Sequence, residues 1–363
     1  MYKKKNRLSS KGLLTILILI FVFTLTLVIV RVSSSSKINI SNLSFSNNIV
    51  SADTTEDGVI LIEVNNILNH VKSDAKKPNW SAAIAEGNTK LASSRNFIIA
   101  YSEHSAEVFD GKGKSLFIIK DFPNKIERIV CGFNNFAILA TNDTLSIIHM
   151  YNSTGEEIDV IEPESRPLDL GFYLPNDNLW VLTINTDVTM PISTITSYNV
   201  GQAIIGRMSI TDQLVEKLFF DDSNIYICTT NDIIIYDHNA KETSRHQIYG
   251  YKVEDFKIID SKPTFLLTAR NSSEDKTRTN IAKLFEPFTN KEIYYRMASN
   301  NISSYLTERN VIFVATNQIT QYSLNGKTMD VSNFEINYVS ANKIGNTHCL
   351  VSDGSAYSII SLT

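Results

Sequence analysis

The sequence predicts an all-β fold: a seven-bladed β-propeller with four antiparallel strands in each blade, placed after an N-terminal transmembrane helix. Two observations lead to this prediction. A two-strand pattern occurs seven times along the chain, and a long apolar segment lies close to the N-terminus. Repeats of about 40 residues that each contain four short strands are typical of propeller blades.

The repeated unit is clearest in NIYICTTNDIIIYDHNAKE, residues 224–242. Its first apolar run predicts a buried strand, Asn-Asp predicts a tight turn, and the second apolar run ending in Tyr predicts another strand. Similar copies begin at residues 96, 135, 178, 264, 310 and 347, so that successive copies start 37 to 46 residues apart. Two further strands fit into each interval, which gives four strands per unit.

The copies span residues 80–363, which we predict to be the propeller domain. One sheet cannot bury both of its faces alone, but seven sheets arranged radially can, because each packs on the next. The last copy stops at Thr363, directly after its third strand. We therefore expect an N-terminal strand, within residues 80–86 or in the VILIEV run at 59–64, to complete the last blade and close the ring.

Residues 13–30, LLTILILIFVFTLTLVIV, are 18 consecutive residues without a charge. With their flanks they reach the length of about 20 residues that crosses a bilayer, so we predict a transmembrane helix over residues 12–31 after a short cytoplasmic tail, residues 1–11. Basic residues are concentrated before this segment, which predicts that the propeller is extracytoplasmic. The alternative, a cleaved signal peptide, is disfavoured because its apolar core would be shorter and followed by a small-x-small motif.

Residues 32–79 are assigned to an extracytoplasmic linker, because residues 33–57 are rich in Ser and Asn. Within it, residues 58–72 (GVILIEVNNILNHVK) fit two structures. The spacing of their apolar residues is compatible with a short helix, whereas the first half alone is compatible with a strand. We favour the helix.

Composition excludes several classes of function. The net charge is -4 and the basic residues of the main body are scattered, which argues against a nucleic-acid partner. The three cysteines lie far apart and favour buried thiols over a disulfide framework. The six histidines occur singly, and no GxSxG, P-loop or GxGxxG motif is present. We therefore expect no catalytic residue, cofactor or metal site, and we predict that the protein is not an enzyme.

Two blades have an expanded turn between their second and third strands, at residues 186–191 and 271–279. In a propeller these turns share one face with the connections between blades, and loops on a rigid scaffold are common binding sites. Insertions without a role would give the same pattern. The candidate partner-binding residues are Asp187, Val188, Met190, Pro191, Glu274, Asp275, Lys276 and Arg278.

The blade pattern resembles that of WD40-like and quinoprotein-like (PQQ-like) β-propellers. The Trp-Asp ending of WD40 blades is absent, because the equivalent positions read Val108-Phe109-Asp110, Ile235-Tyr236-Asp237 and Gln321-Tyr322-Ser323. With its apolar N-terminal segment, the whole chain looks like the single-pass, membrane-anchored propeller proteins of Gram-positive bacteria. The resemblance implies a fold and leaves the activity open.

Two functions fit these observations. The first is a membrane-tethered scaffold that binds a protein partner in the cell envelope. The second is an extracytoplasmic enzyme or small-ligand-binding protein that uses the central channel. Converging acids or histidines in the channel would favour the second function, and a lining of Ser, Asn and aliphatic residues would count against it. We favour the scaffold.

Overall fold

Four-stranded antiparallel sheets are the building unit of the structure, and the described residues form eight of them. The computed structural model describes residues 40–42 and 49–362, except residues 76, 143–144, 174–175, 187–188, 200–203, 238, 271–279 and 346. Buried clusters between successive sheets and contacts between their first strands join them into a ring, which is a β-propeller.

The first four blades follow one another along the chain, each with its strands in sequence order. Their strands are β2 (Ile49–Thr54), β3 (Gly58–Glu63), β4 (Ile67–Lys72) and β5 (Trp80–Ala83); β6 (Lys90–Ser93), β7 (Ile98–Tyr101), β8 (Ala106–Phe109) and β9 (Ser115–Ile119); β10 (Lys125–Cys131), β11 (Asn135–Thr141), β12 (Ser146–Asn152) and β13 (Glu157–Ile161); β14 (Pro167–Tyr173), β15 (Asn178–Asn185), β16 (Ile192–Tyr198) and β17 (Ile204–Thr211).

Blades 5 to 7 have the same order, and blade 8 combines the two ends of the described chain. Their strands are β18 (Val215–Phe220), β19 (Asn224–Thr229), β20 (Asp232–Asp237) and β21 (Glu242–Gln247); β22 (Tyr251–Ile259), β23 (Lys262–Ala269), β24 (Ile281–Glu286) and β25 (Lys291–Arg296); β26 (Asn301–Leu306), β27 (Asn310–Ala315), β28 (Gln318–Ser323) and β29 (Thr328–Asn333); β30 (Ser340–Ile344), β31 (His348–Ser352), β32 (Tyr357–Ser361) and β1 (Ile40–Asn42).

The propeller prediction is confirmed as an all-β fold, but the predicted number of seven blades is wrong. The additional blade is blade 1, which consists of β2 to β5 and covers residues 49–83. Most of it was assigned to a linker with a short helix. Both β3 and β4 are almost continuously buried, and a short, fully buried strand has the same unbroken apolar composition as a buried piece of helix.

The ring is closed by a strand other than those proposed from the sequence. β1 pairs antiparallel with β32, with Ile40 opposite Ile360 and Asn42 opposite Ser358. The two proposed donors belong to blade 1 instead, because residues 80–83 form its outer strand and residues 58–63 its second strand. Blade 8 therefore joins one N-terminal strand to three C-terminal strands.

The predicted transmembrane helix and cytoplasmic tail, residues 1–31, lie outside the described residues. Within the described ranges, no helix has the length and apolar character needed to cross a membrane. The expected membrane anchor and extracytoplasmic location stay predictions.

The closing strand predicts the outcome of two truncations. A chain that begins at residue 40 keeps β1, whereas a chain that begins at residue 49 loses it and leaves the outer edge of β32 unpaired. We expect the second truncation to lower the free energy of unfolding by about 2 to 3 kcal/mol relative to the first, at roughly 1 kcal/mol per lost hydrogen bond. Urea unfolding measures the difference, and equal midpoints would show that β1 does not close the ring.

Candidate functional site

The two faces of the ring carry different turns. In each sheet the second turn and the connection to the next blade lie at one end of the strands, and the first and third turns lie at the other end. We call these the upper face and the lower face. The first strand of each sheet is the innermost, because first strands of neighbouring blades contact one another, as β2 contacts β6 and β26 contacts β30.

Of the residues chosen from the sequence as partner-binding candidates, Met190 and Pro191 are described, and they belong to the second turn of blade 4 and hence to the upper face. Met190 is 58% exposed and Pro191 is also exposed. The other candidates, Asp187, Val188, Glu274, Asp275, Lys276 and Arg278, lie outside the described residues.

The central channel contains charged side chains at equivalent positions of successive inner strands. In blades 3 to 6 the residues that follow a bulge in the first strand are Arg128, Asp169, Lys217 and Asp255. Their charges alternate over these four blades, whereas the equivalent positions of blades 1 and 7 are Ser51 and Ser303. The Arg128 guanidinium contacts the Asp169 carboxylate, and the Lys217 ammonium donates to the backbone oxygen of Glu254 at 2.8 Å.

One ion pair joins three inner strands. The Lys343 Nζ of β30 donates to Asp255 Oδ2 of β22 at 2.8 Å and to the backbone oxygen of Leu306 in β26 at 2.7 Å. The Leu306 N–H in turn donates to the same carboxylate oxygen at 2.8 Å. Blades 6, 7 and 8 are therefore linked across the channel wall by one cation and one anion.

Further carboxylates near the channel are paired in the same way. Arg270 donates to Glu216 through two nitrogens, at 2.8 and 2.5 Å. Burial acts to raise the pKa of Glu254, but hydrogen bonds from Lys252 and Thr268 outweigh it, so its pKa is lower than usual. The eight inner strands contain no histidine. Asp255, Asp169, Glu216 and Glu254 are thus bound by basic groups of the protein itself, whereas Asp53 of β2 accepts from the Thr54 N–H and the Ser93 hydroxyl, and burial raises its pKa.

Within the described ranges, no group of three or more His, Cys, Asp or Glu side chains is placed to hold a metal ion. Cys228 and Cys349 are buried and Cys131 is half-buried. Burial raises the pKa of all three thiols, that of Cys349 to about 12. They therefore remain protonated and poorly nucleophilic at neutral pH.

A contact between neighbouring blades repeats on the lower face. At three interfaces, a large side chain of one outer strand packs on a glycine in the third turn of the next blade. The pairs are Trp80 with Gly113, Phe117 with Gly155 and Ile293 with Gly326. Each glycine has a positive φ, and an added Cβ would lie 3.2 Å or less from the packed side chain. Three other outer strands have polar residues at this position: Asp159, Ser244 and Asp330.

The corresponding pair between blades 4 and 5 is Gly206 and Ala240, in which the larger residue is on the turn. Gly206 lies opposite Ser197, directly before a bulge, in the register that Phe117 has in blade 2. Ala240 occupies the turn-glycine position, with φ +58° and its N–H donated to the oxygen of Asp237 at 3.0 Å. Among the residues that the structure describes, none has an atom within 4 Å of a Cβ built on Gly206. The space that a large side chain fills at three interfaces is open here.

A cavity of about 470 Å³ lies at this position and opens on the lower face beside β17. Its walls are mainly aromatic and aliphatic and include Tyr173, Trp180, Met208, Phe220 and Ile225. The Phe220 ring centroid lies 5.4 Å from that of Tyr173 and 6.2 Å from that of Trp180. The cavity is therefore an extension of the apolar core between blades 4 and 5.

The indole of Trp180 borders the cavity because the neighbouring strand has a glycine opposite it. Gly171 of β14 pairs with Trp180, and a Cβ at this glycine would lie 2.7 Å from Cζ2 of the indole. The chain has two tryptophans, and the other, Trp80, is in blade 1. Trp180 fluorescence can therefore report on the cavity once Trp80 is replaced.

Carboxylates make the mouth of the cavity negative. Burial raises the pKa of Tyr173, and the nearby Asp222 and Asp221 carboxylates raise it further. Burial also acts to raise the pKa of Asp221, but hydrogen bonds from the Tyr226 hydroxyl and from backbone N–H groups outweigh it, so that its pKa is lower than usual. Arg207 also lines the cavity and pairs with Glu164 at 2.9 Å. The acidic groups therefore outnumber the basic ones at the mouth.

A family model described as a family of unknown function, DUF5711, matches residues 31–360. The chain belongs to this family. No curated protein matches its sequence.

Solved structures similar to the chain are propellers of several origins. BamB from Moraxella catarrhalis has a TM-score of 0.60 at 8% identity, over 89% of this chain and 100% of that one. The WD40 domain of SCAP from fission yeast has a TM-score of 0.66 at 7% identity, over 90% of this chain and 98% of that one. The C-terminal WD40 domain of Sif2 has a TM-score of 0.64 at 10% identity, over 89% of this chain and 98% of that one. Identities this low show a shared fold alone, and they confirm the resemblance to WD40-like propellers at that level.

None of the candidate residues predicted from the sequence lines the cavity. A signal was present, because Gly206 stands in IIGRMSI where the outer strand of blade 2, SLFII, has Phe117. The correspondence depends on the strand register and on a bulge in each pairing. Neither can be derived from the sequence of one strand, because register and bulge are properties of the pairing between two strands.

Removal of the Lys343 ammonium is expected to destabilise the ring. Lys343→Met would leave the Asp255 carboxylate, which is only 21% exposed, without its cation. We expect the free energy of unfolding to fall by about 2 kcal/mol, because a charge left half-buried is poorly solvated. Lys125→Met is the matched control, since Lys125 and its partner Glu103 are each 53% exposed and exposed pairs contribute little. Equal urea midpoints for the two variants would contradict this role of Lys343.

Two glycine substitutions are expected to have opposite effects on stability. Gly206→Ala meets no neighbouring atom and should stabilise the fold by about 0.5 kcal/mol, through the lower entropy of the unfolded chain. Gly113→Ala, at φ +81° and with its Cβ 2.4 Å from the Trp80 ring, should destabilise it by about 2 kcal/mol. Thermal unfolding measures both, and a destabilising Gly206→Ala would show that the cavity does not tolerate a side chain.

Proposed function

We propose that this protein is a membrane-tethered, extracytoplasmic propeller that acts as a protein-interaction scaffold in the cell envelope. The observation that carries the proposal is the open cavity between blades 4 and 5. It is an apolar depression on a closed ring, at a place where the ring's own side chains fill the space at other interfaces. Apolar concave surfaces with a few polar groups at the mouth are common binding sites.

The charge pattern of the channel supports the scaffold over the alternative. An enzyme or small-ligand site in the channel would need acids or bases available to a ligand. Here Asp255 is bound by Lys343, and Glu216 is bound by Arg270. These pairs connect blades to one another, which is a structural use of the charges.

The location is supported by the sequence of the N-terminal segment. Residues 13–30 have the length and apolar character of a membrane span, and the basic residues before them favour a cytoplasmic N-terminus. A propeller attached after this segment would then work outside the membrane, close to its surface.

Cysteine labelling in intact cells tests the location. We expect Ser153→Cys, at an exposed position of the lower face, to react with a membrane-impermeant maleimide. The native thiols should contribute little background, because burial raises their pKa values. Ser9→Cys, in the predicted tail, should react only after permeabilisation. Labelling of Ser9→Cys in intact cells, with Ser153→Cys reacting only after permeabilisation, would refute an extracytoplasmic propeller.

Photo-cross-linking in intact cells tests the scaffold function. A photoreactive amino acid at Ile205, which is 52% exposed beside the cavity, should form a discrete adduct with a partner. The same amino acid at Val160, which is 46% exposed on the outer strand of blade 3, is the control. Adducts of equal pattern and yield at both positions, or none at Ile205, would contradict a partner site at the cavity.

A further inference from the structure

We propose that the cavity between blades 4 and 5 binds an aromatic side chain of a protein partner, presented by an extended segment with basic flanking residues. The proposal rests on the scaffold function and specifies how the partner is recognised. The partner's side chain would take the place that Trp80 and Phe117 take at two other interfaces of the ring.

The first argument is the repeated contact itself. At three interfaces the side chain at this position is Trp80, Phe117 or Ile293, and at the blade 4–5 interface it is absent. The surroundings at these interfaces are built from equivalent strands and turns, so the ring shows which kind of side chain fits the space. Where this position carries an apolar residue, the occupant is large and mainly aromatic, whereas Asp159, Ser244 and Asp330 occupy it at three other interfaces.

The second argument is the size and chemistry of the cavity. Apolar cavities of about 150 Å³ can hold a benzene molecule, so a volume of about 470 Å³ accommodates an aromatic ring together with part of its chain. Tyr173, Trp180 and Phe220 offer ring surfaces to the occupant. Aromatic pairs with centroids roughly 4.5 to 7 Å apart are favourable beyond the burial of their area.

The third argument is the free edge of β17. This strand is the outermost in its sheet and pairs only with β16 among the described strands. An extended segment can therefore pair with its backbone, as strands added to sheet edges do. Ile204 and Ile205, which are 49% and 52% exposed, lie at the end of β17 next to the cavity and would be covered by such a segment.

The fourth argument is charge. Asp222 lines the cavity, and the Asp221 carboxylate is near enough to raise the pKa of Tyr173 in the cavity wall. The basic lining group Arg207 is paired with Glu164. A segment with Lys or Arg next to its aromatic residue complements this charge. A segment with acidic flanks would be repelled.

Fluorescence titration with synthetic peptides tests the proposal. The protein is the full-length chain in a non-ionic detergent, with Trp80→Phe so that Trp180 is the only fluorophore of its kind. The probe is the acetylated and amidated peptide Lys-Thr-Phe-Thr-Lys. We expect saturable binding that changes Trp180 emission. Replacing the Phe of the peptide by Ala should weaken binding roughly 10- to 100-fold, because the ring contributes most of the buried area.

A matched pair of variants separates filling of the cavity from damage to the strand. Gly206→Phe gives blade 4 the side chain that blade 2 has at this position, and it should weaken binding at least tenfold. Ser209→Phe places the same ring on the opposite face of β17 and should leave binding unchanged. If Gly206→Phe does not fold, as judged by its unfolding transition, Gly206→Leu takes its place. Equal binding by the filled variant and the Ser209→Phe control would overturn the proposal.

Two further peptides decide the chemistry of the occupant. Asp-Thr-Phe-Thr-Asp should bind at least tenfold more weakly than the basic peptide, and equal binding would refute the basic flanks. N-acetylphenylalanine amide should also bind much more weakly, because it cannot pair with β17. Binding as tight as that of the basic peptide would instead indicate a small-molecule site.

The cross-linking experiment tests the scaffold function, and the peptide experiment tests the recognition chemistry, so that either can be refuted without the other. If the peptide binds but no adduct forms at Ile205 in cells, the scaffold function is refuted and the recognition chemistry stands. If an adduct forms and the peptide does not bind, the scaffold function stands and the aromatic recognition is refuted.

Discussion

The structure depends on one constraint: each sheet of the ring must be covered on both faces, and the ring must therefore close. The short pairing of β1 with β32 meets this constraint, because it completes the eighth blade with a strand from the other end of the chain. Without it, blade 8 would have only three strands and one unpaired edge. This explains why residues 40–42, which have an unremarkable Ser- and Asn-rich neighbourhood, occupy a defined position in the fold.

Closure also determines how charge is distributed. Inner strands from all the blades meet around the axis, so any polar side chain there faces others across a short distance. Like charges would repel, and the alternation from Arg128 to Asp255 avoids this. The Lys343 contacts extend the same principle over three blades. The channel charges are therefore best understood as part of the packing of the ring.

The blade 4–5 interface departs from the contact that repeats at three other interfaces of the ring. The departure at the blade 4–5 interface is small: the outer strand has Gly206 where blades 1, 2 and 6 have Trp80, Phe117 and Ile293, and the turn has Ala240 where the blades after them have glycine. Its effect is large, because the missing side chain would have filled the interior of an interface. The cavity is thus formed where a side chain of a repeated contact is missing.

The sequence by itself determined the all-β class, the repeat and the four-stranded blade, because apolar runs, turn residues and a period near 40 residues are local properties. Blade 1 and the closing strand could be recognised only from the tertiary structure. In blade 1, the strands β3 and β4 are almost continuously buried and have no strand-specific alternation. The partner of residues 40–42 is more than 300 residues away. The cavity required it too, since the absence of a side chain at Gly206 matters only once Trp180 and Phe220 are placed around it.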